Sequence, residues 1–132
     1  EEGTRSAADA ARAIGVDVGA IVKSLVFEVD RETVLALVSG ANRLDEVKLA
    51  AVAGGSSARR QDPASVREAT GFAVGGVPPF GHRRPLRTFV DRDLLAHDRV
   101  WAGSGTPDAN FDIDPAALVR ATGGVVCDLA AG

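Results

Sequence analysis

The sequence predicts a single α+β domain, also describable as mixed α/β, in which a mixed and mostly antiparallel sheet is flanked by helices. Short β-branched runs and short amphipathic segments interleave, without the regular strand–helix alternation of a doubly wound parallel sheet. The chain has 132 residues, of which 45% are apolar and 25% charged, which suits one hydrophobic core. We therefore expect one domain over residues 1–132.

The first half of the chain contains the clearest elements. Residues 6–14 predict a helix, because a serine begins the segment, alanines fill it and Gly15 follows it. Residues 21–29 and 33–38 predict a β-hairpin, since both are rich in β-branched residues and a charged turn separates them. No strand precedes the first helix in the sequence. If the natural domain has an N-terminal strand, this chain lacks it.

The same patterns predict the remaining elements. Asp62 and Asp114 each precede a proline, which is typical of a capping residue followed by the first turn of a helix. The predicted helices cover residues 42–52, 62–70 and 114–120, with a helical turn over 93–96. The predicted strands cover residues 57–61, 87–90, 99–102, 111–113 and 125–129.

Composition and charge exclude several classes of protein. The formal net charge is −3, which argues against a general nucleic-acid coat protein, because such binding depends on neutralising phosphates. No apolar run approaches the ~18 residues that cross a bilayer, and no signal peptide is recognised. The single cysteine, Cys127, lies in an apolar run and cannot form an internal disulfide. We therefore expect a cytoplasmic protein with a buried thiol.

Residues 75–82, with the sequence Gly-Gly-Val-Pro-Pro-Phe-Gly-His, form the most unusual stretch. Adjacent glycines adopt backbone angles that other residues avoid, and the two prolines restrict the turn that follows. Such a segment is a rigid loop that brings main-chain N–H groups close to a ligand, or it is a structural turn. These eight residues alone do not decide between the two interpretations.

Two further features are candidates for a site. Lys23 is the one charge in the first half of an apolar strand, so it lies on a solvated face or is held in a site. Gly103, Ser104 and Gly105 form a second small-residue loop after a predicted strand. Ester hydrolysis needs donors near the developing oxyanion, and glycine-rich loops can supply main-chain N–H groups. No spacing of histidines and Cys127 suits a metal, and no phosphate-binding motif occurs, so no cofactor is expected.

Taken in order, these segments resemble those of the YbaK/ProX aminoacyl-tRNA deacylases, which are relatives of the editing domain of bacterial prolyl-tRNA synthetases. The resemblance covers nearly the whole chain. It is carried by residues 21–27 (Ile-Val-Lys-Ser-Leu-Val-Phe), 43–45 with 48–50, 70–82 and 103–105. It implies a mixed sheet flanked by helices and hydrolysis of the ester that joins a wrong amino acid to the 3′ end of a tRNA.

The resemblance also implies roles for individual residues. Lys23 would hold the phosphate or hydroxyls of the terminal adenosine and the ester region, and Gly75 and Gly76 would offer main-chain N–H groups to the aminoacyl carbonyl. Many members carry an acidic residue after the second glycine loop, where this chain has Asn110 with Asp108 and Asp112 nearby, and which of the three faces the pocket is open. The remaining implied substrate-binding residues are Pro78, Phe80, Gly81, His82, Gly103, Ser104 and Gly105.

The expected partners are the 3′ end and acceptor stem of an aminoacyl-tRNA, with an aminoacyl-tRNA synthetase as a second partner. Arg83, Arg84 and Arg87 follow the first glycine loop and are candidates for tRNA phosphate contacts. We expect a trans-editing deacylase for mischarged tRNA-Pro, without a membrane partner, as a monomer or weak dimer. Whether Ala, Ser, Thr or Cys is removed is open. The alternatives are a catalytically silent aminoacyl- or nucleotide-binding regulatory module and, least favoured by the acidic charge, an RNA-binding structural protein.

Overall fold

The computed structural model of the chain describes residues 6–74, 76–105 and 109–132. Short 3-10 helices cover Val18–Ala20 and Arg92–Ala96. The α-helices are α1 (Ala7–Ile14), α2 (Glu46–Ala53), α3 (Pro63–Thr70) and α4 (Pro115–Thr122). The strands are β1 (Val22–Val29), β2 (Glu32–Ser39), β3 (Ala58–Arg60), β4 (Arg87–Asp91), β5 (Val100–Gly103), β6 (Asn110–Ile113) and β7 (Val125–Cys127).

The strands form one large sheet and one small one. The five-stranded sheet has the order β3-β1-β2-β4-β7, and β5 and β6 form a two-stranded antiparallel sheet. β1 pairs antiparallel with β2 and β3, whereas β2–β4 and β4–β7 are parallel pairs. The predicted α+β fold with a mixed sheet flanked by helices is confirmed, although the large sheet has as many parallel pairs as antiparallel ones.

The large sheet has a separate hydrophobic cluster on each face. Side chains alternate along a strand, so Val22 and Val26 of β1 pack with Leu94 and Leu118 on one face. Phe27 and Val29 point to the other face, where Leu49 of α2 covers them. We call these the α4 face and the α2 face. Each residue of β1 therefore belongs to a defined side of the molecule.

The small sheet is joined to the large one along β1. Ile21, directly before β1, forms a parallel bridge with Trp101 of β5. Both of these residues pack against Ala10 and Ala11 of α1. β5 therefore runs beside the first half of β1, while β3 pairs with residues 27–29 of the second half.

Two sequence predictions need correction. The helix predicted over residues 42–52 begins later, at Glu46, because the Asp45 side chain accepts hydrogen bonds from the N–H groups of Val47 (2.9 Å) and Lys48 (3.2 Å) and so caps the helix at that point. Cys127 is half-buried and not buried, since β7 is an edge strand. Within the described ranges, no helix has the length and apolar character needed to cross a membrane.

Candidate active site

The loop that contains the first glycine pair is anchored by a threonine that the sequence analysis missed. Thr70, the last residue of α3, is only 1% exposed, and its hydroxyl donates to the carbonyl oxygen of Val66 (2.8 Å). The N–H of Phe72 donates to the same hydroxyl (3.0 Å), and the N–H of Arg83 donates to the main-chain oxygen of Thr70 (2.9 Å). Thr70 thus joins the beginning and the end of the loop. In the sequence, the position of Thr70 directly before the helix-ending Gly71 could have indicated this anchoring role.

The loop is also bonded within itself. The N–H of Gly76 donates to the carbonyl oxygen of Ala73 (2.9 Å), so in this conformation it is not available to a substrate carbonyl. The donor role predicted for Gly76 would require this hydrogen bond to break, and Gly75 lies outside the described residues. His82 Nε2 lies 2.6 Å from the carbonyl oxygen of Pro78, and it donates because a carbonyl oxygen can only accept.

A cavity of about 390 Å³ opens between this loop and β6. The rings of Phe80 and Phe111 form one wall, with their centroids 5.6 Å apart and their planes at 48°. The cavity lies on the α4 face, since both rings pack against the cluster of that face. We call it the aromatic cavity. Its lining residues are Phe72, Pro78, Phe80, Gly81, Ser104 and Phe111, of which Pro78, Phe80, Gly81 and Ser104 were predicted.

The second glycine loop packs directly on the first. Gly105 has a φ of 101°, and a Cβ built there would lie 2.7 Å from Cε1 of Phe72. Both the backbone angle and the close ring therefore require glycine. Ser104 closes the hairpin loop, since its N–H and its hydroxyl both donate to the carbonyl oxygen of Ala109 (3.0 and 3.2 Å). The structure thus brings the two predicted loops together.

Lys23 lies on the opposite side of β1 from the aromatic cavity. It alternates with Val22, which packs on the α4 face, and is paired with Val38, which packs on the α2 face. Its ammonium donates to the main-chain oxygen of Asn42. Burial lowers the pKa of Lys23 below the ordinary lysine value, the nearby charge of Arg60 lowers it further, and Asp91 raises it. The Lys23 side chain is therefore partly buried and hydrogen-bonded and is not freely solvated.

A polar network fixes the group that holds this lysine. The side-chain amide of Asn42 donates to Oδ2 of Asp91 (2.8 Å) and to Oδ2 of Asp93 (2.9 Å). Asp91 is fully buried and also accepts from the N–H groups of Ser39 and Asp93, each at 3.0 Å. The sequence analysis missed Asn42 and Asp91. The available signal for Asp91 was a carboxylate directly after an apolar strand.

The register of the small sheet places Gly103 and Asn110 on the same face as Lys23. Ile21 bridges Trp101 in a parallel direction, so Lys23 and Gly103 are each two residues further along adjacent backbones. Gly103 is paired with Asn110, and a Cβ built on Gly103 would meet nothing within 4 Å. Lys23, Gly103 and Asn110 therefore lie in register on one face of β1, β5 and β6, and we call this strip the trough. Neighbouring strands are about 4.8 Å apart, so the trough is roughly 10 Å wide.

The structure distinguishes Asn110 from Asp112, two of the three candidate residues that follow the second glycine loop. Asn110 is exposed on the trough face, opposite to the direction of Phe111, which lines the aromatic cavity. Asp112 shares the face of Asn110 but pairs with Arg99 at 3.0 Å. Asp108 lies outside the described residues. Of the two that are described, Asn110 is the one placed next to Gly103.

The three predicted tRNA-binding arginines do not form one group. The Arg83 side chain packs beside Gly71, and Arg84 pairs with Glu68 at 3.2 Å on an exposed surface. Arg87 begins β4, pairs with Glu32 at 2.7 Å and donates to the carbonyl oxygen of Ala53 (3.0 Å). It also stacks over Phe89 of the α2-face cluster, 5.3 Å from the ring centroid. Arg83 and Arg84 therefore flank the first glycine loop, whereas Arg87 lies at the other end of β4 from Asp91.

The fold of this chain recurs in solved structures. The chain superimposes over its full length on a crystal structure of a candidate trans-editing enzyme for prolyl tRNA synthetase, with a TM-score of 0.92 and 50% identity, covering 83% of that chain. It also matches the crystal structure of the hypothetical protein APE2540, with a TM-score of 0.88 and 35% identity, over 97% of this chain and 85% of the other.

Sequence comparison defines the family. The model of the aminoacyl-tRNA editing domain matches residues 1–121, and the chain belongs to this family. A proline–tRNA ligase of Maridesulfovibrio salexigens is 37% identical over 98 residues, which are 74% of this chain and 17% of the ligase. The uncharacterized protein YwhH of Bacillus subtilis is 29% identical over 118 residues, which are 89% of this chain and 75% of that protein. The chain thus spans less than a fifth of the length of that ligase.

Proposed function

We propose that this protein hydrolyses the ester of misacylated tRNA in trans and that its substrate is mischarged tRNA-Pro. The observation that carries the proposal is Lys23 in a domain of the editing family, with its ammonium partly buried and hydrogen-bonded to the main-chain oxygen of Asn42. The similarity to part of a proline–tRNA ligase supports the choice of tRNA. A proline–tRNA ligase is accordingly the proposed partner synthetase.

In the proposed mechanism the aminoacyl ester lies in the trough. Water attacks the ester carbonyl carbon, negative charge develops on the carbonyl oxygen, and the Lys23 ammonium stabilises that charge. The bond to the 3′ oxygen then breaks, and one proton of the attacking water passes to that oxygen to give the ribose hydroxyl. The amino acid leaves as its carboxylate, and the second proton of the water goes to the solvent. Glycine at position 103 leaves room for the ester, since no side chain rises from the trough there. The exposed amide of Asn110 is placed to orient the substrate.

The first glycine loop has a different proposed role from the one that the sequence suggested for Gly76. Because the N–H of Gly76 is bonded to Ala73, this residue would shape the loop and not donate to the ester. Gly75 is retained as a proposed donor. Arg83 and Arg84, which flank this loop, are proposed to contact acceptor-stem phosphates.

The amino acid that is removed should depend on the space available in the trough. A cavity rejects large side chains by steric exclusion but separates small ones weakly, by about 1–3 kcal/mol per methylene. A panel of tRNA-Pro charged with Ala, Ser, Thr or Cys would therefore show a graded preference that declines with side-chain size.

The experiment that tests the proposal is single-turnover deacylation by a Lys23→Ala variant. We expect the rate to fall by about 10²–10³, the range for loss of one oxyanion-stabilising group. The matched control is Lys48→Ala, because Lys48 is the other lysine in the sequence and pairs with Asp128 at 2.9 Å, away from the trough. Circular dichroism should show both variants folded. Unchanged hydrolysis by the Lys23 variant would overturn the mechanism, and tight substrate binding without hydrolysis by the wild type would favour a silent binding module.

A further inference from the structure

Arg60, the last residue of β3, lies on the same face of the large sheet as Lys23. It is paired with Phe27 of β1, which belongs to the α2-face cluster, and its guanidinium lies over the Phe27 ring, 5.6 Å from the centroid. Phe27 and Lys23 are four residues apart on one strand and therefore point to the same side. Their Cα atoms are roughly 13 Å apart. The exposed Arg60 is thus placed along β1 from the trough.

The charge of Arg60 is not neutralised by the part of the chain that the structure describes. No carboxylate there forms an ion pair with its guanidinium, whereas the neighbouring Arg59 pairs with Glu28 at 2.8 Å. Arg60 is close enough to Lys23 for its charge to lower the pKa of the lysine, and the opposing effect of Asp91 is smaller. An anion that binds beside these two cations would offset their repulsion.

The guanidinium group and the substrate together select the kind of anion. The planar fork of N–H donors in arginine matches the oxygens of phosphate and carboxylate groups. An aminoacyl ester of Ala, Ser, Thr or Cys carries no carboxylate before hydrolysis. The negative charge nearest to the ester is then the phosphate on the 5′ oxygen of the same nucleoside. A phosphate group is therefore the anion that this arginine would meet in an intact substrate.

We propose that Arg60 binds the phosphate that precedes the terminal nucleoside of the substrate, while Lys23 remains with the ester in the trough. The choice of a tRNA phosphate rests on the proposed function, whereas recognition of a phosphate group rests on the position and charge of Arg60. The ester and the phosphate of one nucleotide are then held on one face of β1. Arg83 and Arg84 flank the first glycine loop and remain the proposed contacts for phosphates of the stem.

A binding experiment tests phosphate recognition without any catalytic step. Ribose 5-phosphate and ribose are titrated separately into the isotope-labelled protein and followed by NMR. The two probes share the sugar, so a difference in affinity reports the phosphate. We expect ribose 5-phosphate to bind at least about tenfold more tightly, the effect of one hydrogen bond to a charged group, and to shift the side-chain N–H signal of Arg60. Equal affinities, or an unshifted Arg60 signal, would overturn the inference.

Two adjacent arginines provide a matched pair of variants. Arg60→Gln should bring the affinity for ribose 5-phosphate close to that for ribose, and Arg60→Lys should keep part of the difference because it retains the charge. The control is Arg59→Gln, since Arg59 has the same charge but alternates with Arg60 and pairs with Glu28 on the other face. Thermal unfolding should show all three variants folded. An equal loss of affinity in the Arg59 variant would show that general charge attraction, and not a site at Arg60, binds the phosphate.

An uncharged methylphosphonate in the RNA distinguishes the tRNA terminus from a free phosphate compound as the natural ligand. Unacylated acceptor-stem minihelices ending in CCA are prepared with this replacement either at the last linkage or at a linkage in the stem. The change at the last linkage should weaken wild-type binding about tenfold and should not weaken binding to Arg60→Gln further, because both changes remove one contact. The change in the stem should weaken binding to both proteins equally.

The outcomes separate this inference from the proposed function. Losses that add at the last linkage would contradict the assignment of the terminal phosphate to Arg60. Unchanged hydrolysis by Lys23→Ala, with the binding results intact, would remove the proposed mechanism but leave the phosphate site in place. Slow hydrolysis by Lys23→Ala, with no discrimination between ribose 5-phosphate and ribose, would remove only the phosphate site.

Discussion

The trough and the aromatic cavity lie on opposite faces of β1 and differ in the side chains that line them. The trough contains a cationic side chain, whereas the lining of the cavity is mainly apolar. At the trough, the Lys23 ammonium is held by Asn42, and Asn42 is held by the fully buried Asp91. The cavity is walled by phenylalanine rings and has Ser104 as its polar side chain among the described lining residues. The alternation of side chains along β1 produces this separation, since adjacent residues must point to opposite faces.

The difference between the two regions shows that a partly buried charge and an apolar cavity need different kinds of structural support. A half-buried ammonium needs an oriented acceptor and an anion nearby, because burial alone would drive it towards its neutral form. An apolar cavity needs only well-anchored loops, and Thr70 and Gly105 provide the anchoring. Substitutions that act on one region and not on the other can therefore break or sharpen the comparison.

The largest effect is expected from Gly103→Val, which fills the trough. Gly103 does not have a positive φ and a Cβ there contacts nothing, so the variant should fold normally. Deacylation should fall by about 10² or more, since a small misplacement of the ester carries a cost of this size. The measurements are single-turnover rates and thermal unfolding.

Gly105→Ala provides the contrast in the same loop. Its φ of 101° and the 2.7 Å approach to Phe72 require glycine, so this variant should lose stability, and its rate should fall only as far as its folded fraction does. A stable Gly105 variant would show that the loops do not depend on this contact.

The next effect is expected from Asp91→Asn, which disturbs the network behind Lys23. The carboxylate accepts hydrogen bonds from Ser39, Asn42 and Asp93, and an amide nitrogen cannot replace an accepting oxygen. The free energy of unfolding should fall by about 1–3 kcal/mol, the cost of an unsatisfied buried donor, as measured by urea denaturation. An unchanged free energy of unfolding would show that the network does not depend on this carboxylate.

A smaller loss is expected from Thr70→Val, which acts on the cavity side. The substitution keeps the shape of the side chain but removes the hydroxyl that accepts from Phe72 and donates to Val66. We expect a loss of about 1 kcal/mol in unfolding free energy, measured by urea denaturation. An unchanged unfolding free energy would indicate that the chain beyond Thr70 positions the loop by itself.

The smallest effect is a change in the pH dependence of deacylation. The proposed mechanism uses the charged form of Lys23, so the rate should fall as pH rises through its lowered pKa. Arg60→Gln removes a repelling charge and raises that pKa, so the alkaline decline should move to higher pH. Asp91→Asn removes an attracting charge and should move the decline to lower pH. Identical pH–rate profiles for the wild type and both variants would show that Lys23 does not titrate in the reaction.

Local patterns in the sequence predicted most elements, because the signals that start and stop them are short-range. The first helix ends at Gly15 and the third begins at Pro63, as the capping rules require. The residues around the two glycine loops were also identifiable, since few other segments combine glycine and proline in this way. The exposure of Cys127 was not predicted, because an apolar run does not reveal whether its strand lies at the edge of a sheet.

The sequence by itself determined the α+β class and the positions of the two glycine loops, because each depends on residues that are neighbours in the chain. Only the tertiary structure decided that Lys23 faces away from the aromatic cavity, that the Gly76 N–H is already bonded, and that Asn42 and Asp91 support the lysine. These outcomes depend on strand register and on contacts between residues up to 52 positions apart. Local propensity carries no information about either.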